Sequence, residues 1–247
     1  MSATNEAPRG FLPRHWWRLK RSLGRRWREW RLPSGFQRLG TRYGGWWLFT
    51  PAISTDAFLV DCGLGRDISF PTAFLGRFGG RVIGVDPNPT AIEYCRRHCP
   101  EGMEIRAQAM WAEAGITMSF HLPRPAAQLP RGADGVSGSL LASHSYAGES
   151  VLPVCTTSVA EILASAGRLE CDVLKLDIEG AEYRVLDALC SSGEIRRARQ
   201  VLVEFHHDHT DHPLQDTLDR VAKLESGGFR LAHVENRNYT FLRRDVV

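Results

Sequence analysis

A short apolar strand that runs into two carboxylates and a glycine turn constrains the fold of this chain most strongly. Residues 173–188 read VLKLDIEGAEYRVLDA, where Asp177 falls at the end of the strand, Glu179 follows, and Gly180 leads into a helix. Open α/β sheets build their sites from residues at the carboxyl ends of such buried strands. The segment therefore predicts an α/β sheet with acidic site residues. The alternative for Glu179 is a carboxylate that only caps the next helix.

Strand and helix patterns alternate along the remainder of the chain. The predicted strands are 57–61, 81–86, 104–108, 116–121, 172–177 and 200–205, the predicted helices are 68–78, 89–98, 158–166, 181–190 and 213–226, and a terminal hairpin joins 229–235 to 239–243. This order predicts a doubly wound α/β domain with a mostly parallel sheet and an antiparallel C-terminal hairpin. Residues 123–150 are rich in Pro, Gly, Ser and Ala, and they predict one long loop.

Basic and aromatic residues concentrate at the N-terminus. Residues 1–47 hold 11 of the 31 Lys/Arg, 2 of the 28 Asp/Glu and six of the seven Trp, so the rest of the chain is acidic. We therefore predict an arm at 1–47 and a globular domain at 48–247. Within the arm, residues 14–31 predict a basic amphipathic helix whose apolar stripe docks on the body, on a partner protein or on an anionic membrane surface. Residues 43–48 (YGGWWL) are expected to form an exposed aromatic turn.

Composition bounds the compartment and the partners. The six cysteines form no C-x-x-C pair, and no apolar run approaches the roughly 18 residues of a membrane span. These features predict reduced thiols and a cytoplasmic protein. If the protein associates with a membrane surface, the predicted helix at 14–31 is the segment expected to bind it. Because the body is acidic, nucleic acid is the weaker candidate partner.

A glycine pair after the first predicted strand indicates a nucleotide site. The strand ends in DCGLG, which places Asp61 two residues before Gly63, and Asp86 ends the next strand 21 residues after Gly65. Such an acid suits the hydroxyls of a ribose. Ile68 stands where a dinucleotide fingerprint has its third glycine, which argues against a pyrophosphate at the helix start. The pattern favours a nucleoside ligand that carries an amino group.

Taken together, these segments resemble the FkbM-type family of S-adenosylmethionine-dependent methyltransferases. The segments that carry the resemblance run in family order: VDCGLG (60–65), VIGVDPNP (82–89), LPVCTTSVAEIL (152–163), VLKLDIEGAEYRVL (173–186) and VLVEFHH (201–207). The resemblance covers about residues 56–244 and implies a seven-stranded Rossmann-like methyltransferase sheet with S-adenosylmethionine as cofactor. The residues that it implies for the cofactor are Asp61, Gly63, Gly65 and Asp86. Asp67 stands where the commoner family turn has its last glycine. The full set predicted to bind the cofactor adds Leu64, Asp67, Pro87, Asn88 and Ala109.

A second set of residues is predicted to be catalytic. It consists of Asp177, Glu179, Glu204, His206 and His207. All five fall at or just after the ends of two strands, so we expect them to converge over the cofactor, with one histidine as the base. We predict methylation of a hydroxyl on a small-molecule or glycan-like acceptor. The alternatives are methylation of an amine, a non-catalytic binding module that uses the basic helix, and an NAD-linked oxidoreductase.

A metal ion is the remaining alternative at this edge. Asp177, Glu204 and Asp208 could hold Mg²⁺, which would orient a diol or catechol-like acceptor. The histidines would instead suit Zn²⁺ or Fe²⁺. The sequence contains no compact H-x-x-x-H helix pattern, and we assign no metal ligands from it.

Overall fold

A computed structural model describes residues 34–129 and 135–246 of this chain. One compact unit spans Gly35–Val247. Residues 35–47, which the charge pattern placed in the arm, therefore belong to the compact unit. The helix predicted at 14–31 lies outside the described residues.

The described residues form twelve strands and five α-helices. The strands are β1 Phe36–Leu39, β2 Trp46–Phe49, β3 Phe58–Cys62, β4 Arg81–Val85, β5 Met103–Arg106, β6 Ala109–Met110, β7 Thr117–Pro123, β8 Ala147–Thr157, β9 Cys171–Leu176, β10 Ala198–Glu204, β11 Phe229–Glu235 and β12 Asn238–Arg243. The helices are α1 Ser69–Phe78, α2 Pro89–His98, α3 Val159–Ser165, α4 Glu182–Ser192 and α5 Leu214–Ser226.

Seven strands form the central sheet in the order β11-β12-β10-β9-β3-β4-β5. The five strands from β10 to β5 are parallel, whereas β12 and β11 are antiparallel to their neighbours. The predicted doubly wound sheet with its C-terminal hairpin is confirmed. The chain moves outward from β3 through β4 to β5 and then returns to β9 on the other side of β3. This reversal of strand order is where open α/β sheets bind ligands.

Helices and loops cover both faces of the central strands. Every residue of β3 and of β9 is buried, including the charged residues Asp61, Asp172 and Lys175, and burial on both faces explains why the other residues of these strands are apolar. Asp172 closes the opposite, amino end of this pair, since its carboxylate accepts hydrogen bonds from the amides of Ser54 and Phe58 at 2.7 and 2.8 Å. The candidate site described below lies at the carboxyl end of the same two strands.

A second sheet replaces part of the predicted loop. Strand β8 spans eleven residues of the chain, and it pairs antiparallel with β7 and parallel with β6. The loop prediction for 123–150 was therefore wrong for its last residues. Gly148 and Pro153 disfavour a strand locally, but the register with β7 supplies the pairing that this segment lacks on its own.

The aromatic segment before β3 is buried rather than exposed. Residues 36–49 form a two-stranded antiparallel hairpin, in which Trp46 and Leu48 belong to the core. Tyr43, in the connection between its strands, is 72% exposed. The prediction of an exposed aromatic turn at 43–48 was thus wrong for its tryptophans.

The remaining local features agree with the sequence reading. Ser158 caps α3 by accepting a hydrogen bond from the Glu161 amide, and all six cysteines are free. Across residues 34–129 and 135–246, none of the helices combines the length and the apolar character that crossing a membrane requires.

Candidate active site at the reversal of strand order

The glycine turn after β3 packs directly against the end of β9. Gly63 has φ of +86°, and a Cβ there would lie 1.7 Å from the carbonyl oxygen of Asp177. Its amide donates to the Val85 carbonyl at 2.9 Å. Only glycine fits both the left-handed conformation and the close backbone approach. The turn therefore fixes the ends of β3, β4 and β9 relative to one another.

Asp86 lies on one side of this turn. Its Oδ2 accepts hydrogen bonds from the amides of Leu64 and Gly65 at 2.9 and 3.0 Å, and its Oδ1 accepts from the Asn88 amide at 2.8 Å. Burial raises the pKa of Asp86 above its usual value, although these amide bonds act in the opposite direction. Each carboxylate oxygen has two lone pairs, so Oδ1 can accept one further bond from a ligand's hydroxyl.

Pro87 and Asn88, which follow Asp86, lie beside an open cavity and at the start of α2, respectively. Asn88 caps α2 by accepting from the Thr90 amide, and its Nδ2 donates to the Val136 carbonyl at 2.8 Å. Pro87 lines an open cavity of 410 Å³ beside α2, together with Ala107 and other residues. Ala109 is buried in β6, where it pairs with Thr156 of β8.

Beneath the turn lies a lysine that the sequence analysis did not assign. Lys175 Nζ lies 2.9 Å from Asp61 Oδ1, donates to the Gly63 carbonyl at 2.6 Å, and lies 3.8 Å from Asp177 Oδ2. The Trp46 ring covers it at 5.7 Å. Burial opposes the charge, yet the carboxylates of Asp61 and Asp177 raise the pKa of Lys175 above its usual value. The structure thus makes Asp61 the ion-pair partner of a buried cation.

Asp67 has its partners outside this turn. Its carboxylate accepts hydrogen bonds from the Thr41 hydroxyl, from the Gly44 amide at 3.2 Å and from the Ser69 amide at 2.9 Å. Although partial burial acts to raise its pKa, the bonds from Ser69, Thr41 and Gly44 lower it overall. Asp67 therefore ties the β1–β2 hairpin to the start of α1.

Four of the five predicted catalytic residues meet on the other side of the turn. His206 is 2% exposed, and its Nε2 lies 3.3 Å from Glu179 Oε2, 3.7 Å from Asp177 Oδ1 and 3.9 Å from Glu204 Oε1. We call these four residues the edge cluster. Burial and the neighbouring Glu204 raise the pKa of Asp177 to about 7, and they outweigh the opposing effects of Lys175 and His206.

A fourth carboxylate near His206, that of Glu182, holds the imidazole in place. Its Oε1 accepts a hydrogen bond from the His206 amide at 2.9 Å and lies 3.1 Å from His206 Nδ1, while its Oε2 accepts from the Gly180 amide at 2.8 Å. Glu182 is the last residue of the segment DIEGAE (177–182), and no role was predicted for it from the sequence. Its position in the first turn of α4 was the available signal, because acids there reach back to free amides.

The acids around His206 favour the charged form of its imidazole. Burial disfavours the charged imidazole, but Glu182 and Glu179 outweigh that effect and hold its pKa well above the usual value. An imidazolium has no lone pair with which to accept a proton. The expectation of a histidine base with an unperturbed pKa therefore does not apply to His206.

Two residues of the segment between β7 and β8 complete the surroundings of Glu179. His144 Nε2 lies 2.9 Å from Glu179 Oε2, and the Ser139 hydroxyl donates to the Glu179 carbonyl at 2.6 Å. Burial acts to raise the pKa of Glu179, whereas His206 and His144 lower it to about 2. Glu179 itself has φ of +52°, which is uncommon for a residue with a side chain. No sequence motif marked His144 or Ser139.

His207 lies outside the edge cluster. Its Nδ1 is 3.3 Å from the Thr217 hydroxyl, which in turn is 2.9 Å from the Tyr183 hydroxyl, so it faces α4 and α5. His206 and His207 follow the end of β10 at Glu204, and as adjacent residues of an extended segment they would be expected to point in opposite directions. The structure therefore separates His207 from the other four predicted catalytic residues.

Fold and site together define a class of protein. An open, mostly parallel sheet with a glycine turn at the reversal, an acid after the neighbouring strand and a terminal antiparallel hairpin is the architecture expected for class I methyltransferases. The chain belongs to the methyltransferase FkbM domain family, which matches residues 61–231. No curated protein matches this chain significantly.

Solved methyltransferase structures are similar to this chain at low identity. The METTL16 methyltransferase domain has 8% identity and a TM-score of 0.41, with 75% of this chain and 58% of that chain covered. A putative rRNA methylase from Clostridium thermocellum has 11% identity and a TM-score of 0.40, with 76% and 86% covered. A TehB-like SAM-dependent methyltransferase from Corynebacterium glutamicum has 12% identity and a TM-score of 0.37, with 92% and 98% covered. The chain thus spans little more than half of the METTL16 domain.

Proposed function

We propose that this protein transfers a methyl group from S-adenosylmethionine to a hydroxyl oxygen of a small-molecule or glycan-like acceptor. The observation that carries the proposal is the two-sided arrangement at the reversal of strand order. Asp86 stands on one side of the Gly63 turn, and the edge cluster stands on the other. A cofactor that lies across the turn would reach both sides.

The residues beside the turn fit such a cofactor. Asp86 accepts three amide bonds and retains one free lone pair, on Oδ1, for a ribose hydroxyl. The space above Gly65 is open, because a Cβ added there would meet only Val136, at 3.8 Å. Pro87, Asn88 and Ala109 are proposed to flank the nucleoside. The bound cofactor supplies an electrophilic methyl group on a cationic sulfur, and the carboxylate of Asp177 favours a positive charge at that position.

The edge cluster suits an oxygen acceptor. Carboxylates accept hydrogen bonds from hydroxyls, and they can take the proton that the hydroxyl loses. In this proposal, Asp177 receives the proton of the acceptor. Glu204, which is paired with Arg237 at 2.6 Å, helps to orient the acceptor, and His206 holds Glu179 in position. The same acids would attract a cationic amine, so methylation of nitrogen is the second candidate function.

The N-terminal arm is proposed to serve localisation rather than chemistry. Its predicted helix at 14–31 precedes the matched family region, which begins at residue 61. Its basic and apolar faces suit an anionic membrane surface or a partner protein.

Cofactor binding is tested through Asp86. Isothermal titration with S-adenosylmethionine should show binding to the wild-type protein, and titration with NAD should show none. Asp86→Asn removes the charge from the ribose bond, which contributes about 1.5–3 kcal/mol, so affinity should fall at least about tenfold. Asp219→Asn, an exposed change on α5, is the matched control and should bind as the wild type does. Equal affinity in Asp86→Asn would refute the cofactor assignment.

A further inference from the structure

The edge cluster contains carboxylate and imidazole groups, which are side chains that bind metal ions in proteins. Asp177, Glu179 and His206 each offer one ligand atom, and these three atoms lie within 4.8 Å of one another. We propose that these three side chains bind one divalent transition-metal ion of the Mn²⁺, Fe²⁺ or Zn²⁺ type. The ion would chelate two neighbouring oxygens of the acceptor, and this second part rests on the proposed function.

Two separations within the cluster are close to those around a bound cation. Glu179 Oε2 and Asp177 Oδ1 lie 3.3 and 3.7 Å from His206 Nε2, longer than a usual N–H···O hydrogen bond. Two ligands that are each about 2.1 Å from one ion stand about 3.0 Å apart in octahedral and about 3.4 Å apart in tetrahedral geometry. Small side-chain movements would therefore place all three atoms around a common centre.

The imidazole is oriented as a metal ligand requires. His206 directs Nδ1 to Glu182 at 3.1 Å, which leaves Nε2 facing the carboxylates, where a bound ion would take the place of the Nε2 proton. Histidines that bind metals usually donate their other ring nitrogen to a carboxylate, which fixes both tautomer and orientation. Glu182 is fully buried and bonded to two backbone amides, so this support is rigid.

Two neighbouring acids, Glu204 and Asp208, form ion pairs with Arg237. Arg237 Nη2 lies 2.6 Å from Glu204 Oε1, and its Nη1 lies 2.9 Å from Asp208 Oδ1. The Mg²⁺ set considered from the sequence, which included both acids, is therefore replaced by one that contains a histidine. An imidazole nitrogen beside two carboxylates favours a transition metal over Mg²⁺.

His144 supports the site without being a ligand. Its Nδ1 accepts a hydrogen bond from the Tyr146 amide at 3.2 Å, so the neutral ring carries its proton on Nε2. His144 Nε2 lies 2.9 Å from Glu179 Oε2. A three-residue protein set leaves coordination positions open, which is what catalytic metal sites keep for substrate. Two adjacent acceptor oxygens, as in a vicinal diol, would fill such positions.

The test measures Mn²⁺ binding to the chelator-treated full chain without cofactor or acceptor. Electron paramagnetic resonance should show one bound Mn²⁺ per chain, and electron spin-echo modulation should show one coupled nitrogen from His206. Asp177→Asn and Glu179→Gln should abolish this binding, and Glu182→Gln should weaken it about 10- to 100-fold. The matched control, His207→Ala, should keep both the affinity and the nitrogen signal.

Several outcomes would overturn the proposal. They are the absence of Mn²⁺, Zn²⁺ and Fe²⁺ binding at millimolar concentration, bound Mn²⁺ without a nitrogen coupling, or unchanged affinity in both ligand variants. Circular dichroism checks that each variant folds, and if Asp177→Asn does not, Glu179→Gln and the wild-type nitrogen signal still decide. Failure here leaves the proposed methyl transfer standing, because cofactor binding is titrated separately in buffer containing EDTA.

Discussion

Lys175 is the residue on which the charge balance of the site depends. It is buried between Asp61 and Asp177, and it also donates to the carbonyl of Gly63. A buried cation with two anionic neighbours satisfies both of them, whereas either anion alone would carry a large desolvation penalty. One side chain therefore joins the glycine turn to the edge cluster.

Removing Lys175 should destabilise the protein strongly. Lys175→Met leaves Asp61 buried without its cation, which typically costs about 3–5 kcal/mol. The free energy of unfolding, measured by urea denaturation, should fall by that order. The double variant Lys175→Met with Asp61→Asn should be more stable than the single one, because the unpaired charge is gone. A single variant within about 0.5 kcal/mol of the wild type would contradict this account.

At the scale of elements, helices α4 and α5 are joined by one carboxylate. Asp187 of α4 lies 2.6 Å from Arg220 Nη2 and 2.6 Å from Lys223 Nζ of α5. Partial burial acts to raise the pKa of Asp187, but Lys223 and Arg220 lower it overall. The pairing thus stabilises the packing of the helices that cover β9 and β10.

The sign of this shift gives a pH dependence of stability. A carboxylate whose pKa is lowered on folding contributes stability above its unfolded pKa of about 3.9 and loses it as the pH falls through the folded value. Asp187→Asn should therefore lower the free energy of unfolding by about 1 kcal/mol at pH 7 and pH 5, and by less below pH 4.

Urea denaturation at several pH values checks this prediction. Asp219→Asn is the control, since its carboxylate accepts from Gln215 on the exposed side of α5. A difference for Asp187→Asn that stays the same from pH 7 to pH 3 would contradict the assigned cause.

At the scale of the whole molecule, the arm and the compact unit are expected to act separately. The compact unit begins at Gly35, and the described site residues all lie within it. Deleting residues 1–33 should leave the affinity for S-adenosylmethionine within about twofold, because no proposed cofactor contact is removed. Isothermal titration measures this affinity, and flotation with anionic vesicles measures the expected loss of membrane association. A truncated protein that folds but no longer binds the cofactor would mean that the arm takes part in the site.

The sequence by itself determined the central sheet and the positions of three acids of the candidate site. Apolar periodicity predicted its alternating strands and helices, because periodicity and helix caps are properties of neighbouring residues. Asp86, Asp177 and Glu179 were predicted at the site because each lies at or just after the end of a parallel strand, and the strand fixes the position of such a residue. The separation of His206 from His207 could also have been expected, because adjacent residues just after a strand point in opposite directions.

Only the tertiary structure decided which groups meet. Ser139 reaches Glu179 across 40 residues, and Lys175 reaches Gly63 across 112. Strand β8 forms because β7 offers it a partner, and Trp46 is buried because its hairpin packs on the body. The charge of His206 likewise depends on Glu182 and Glu179, which burial brings against it. Such contacts and pKa values arise from burial and proximity between distant segments, and no local pattern of residues encodes them.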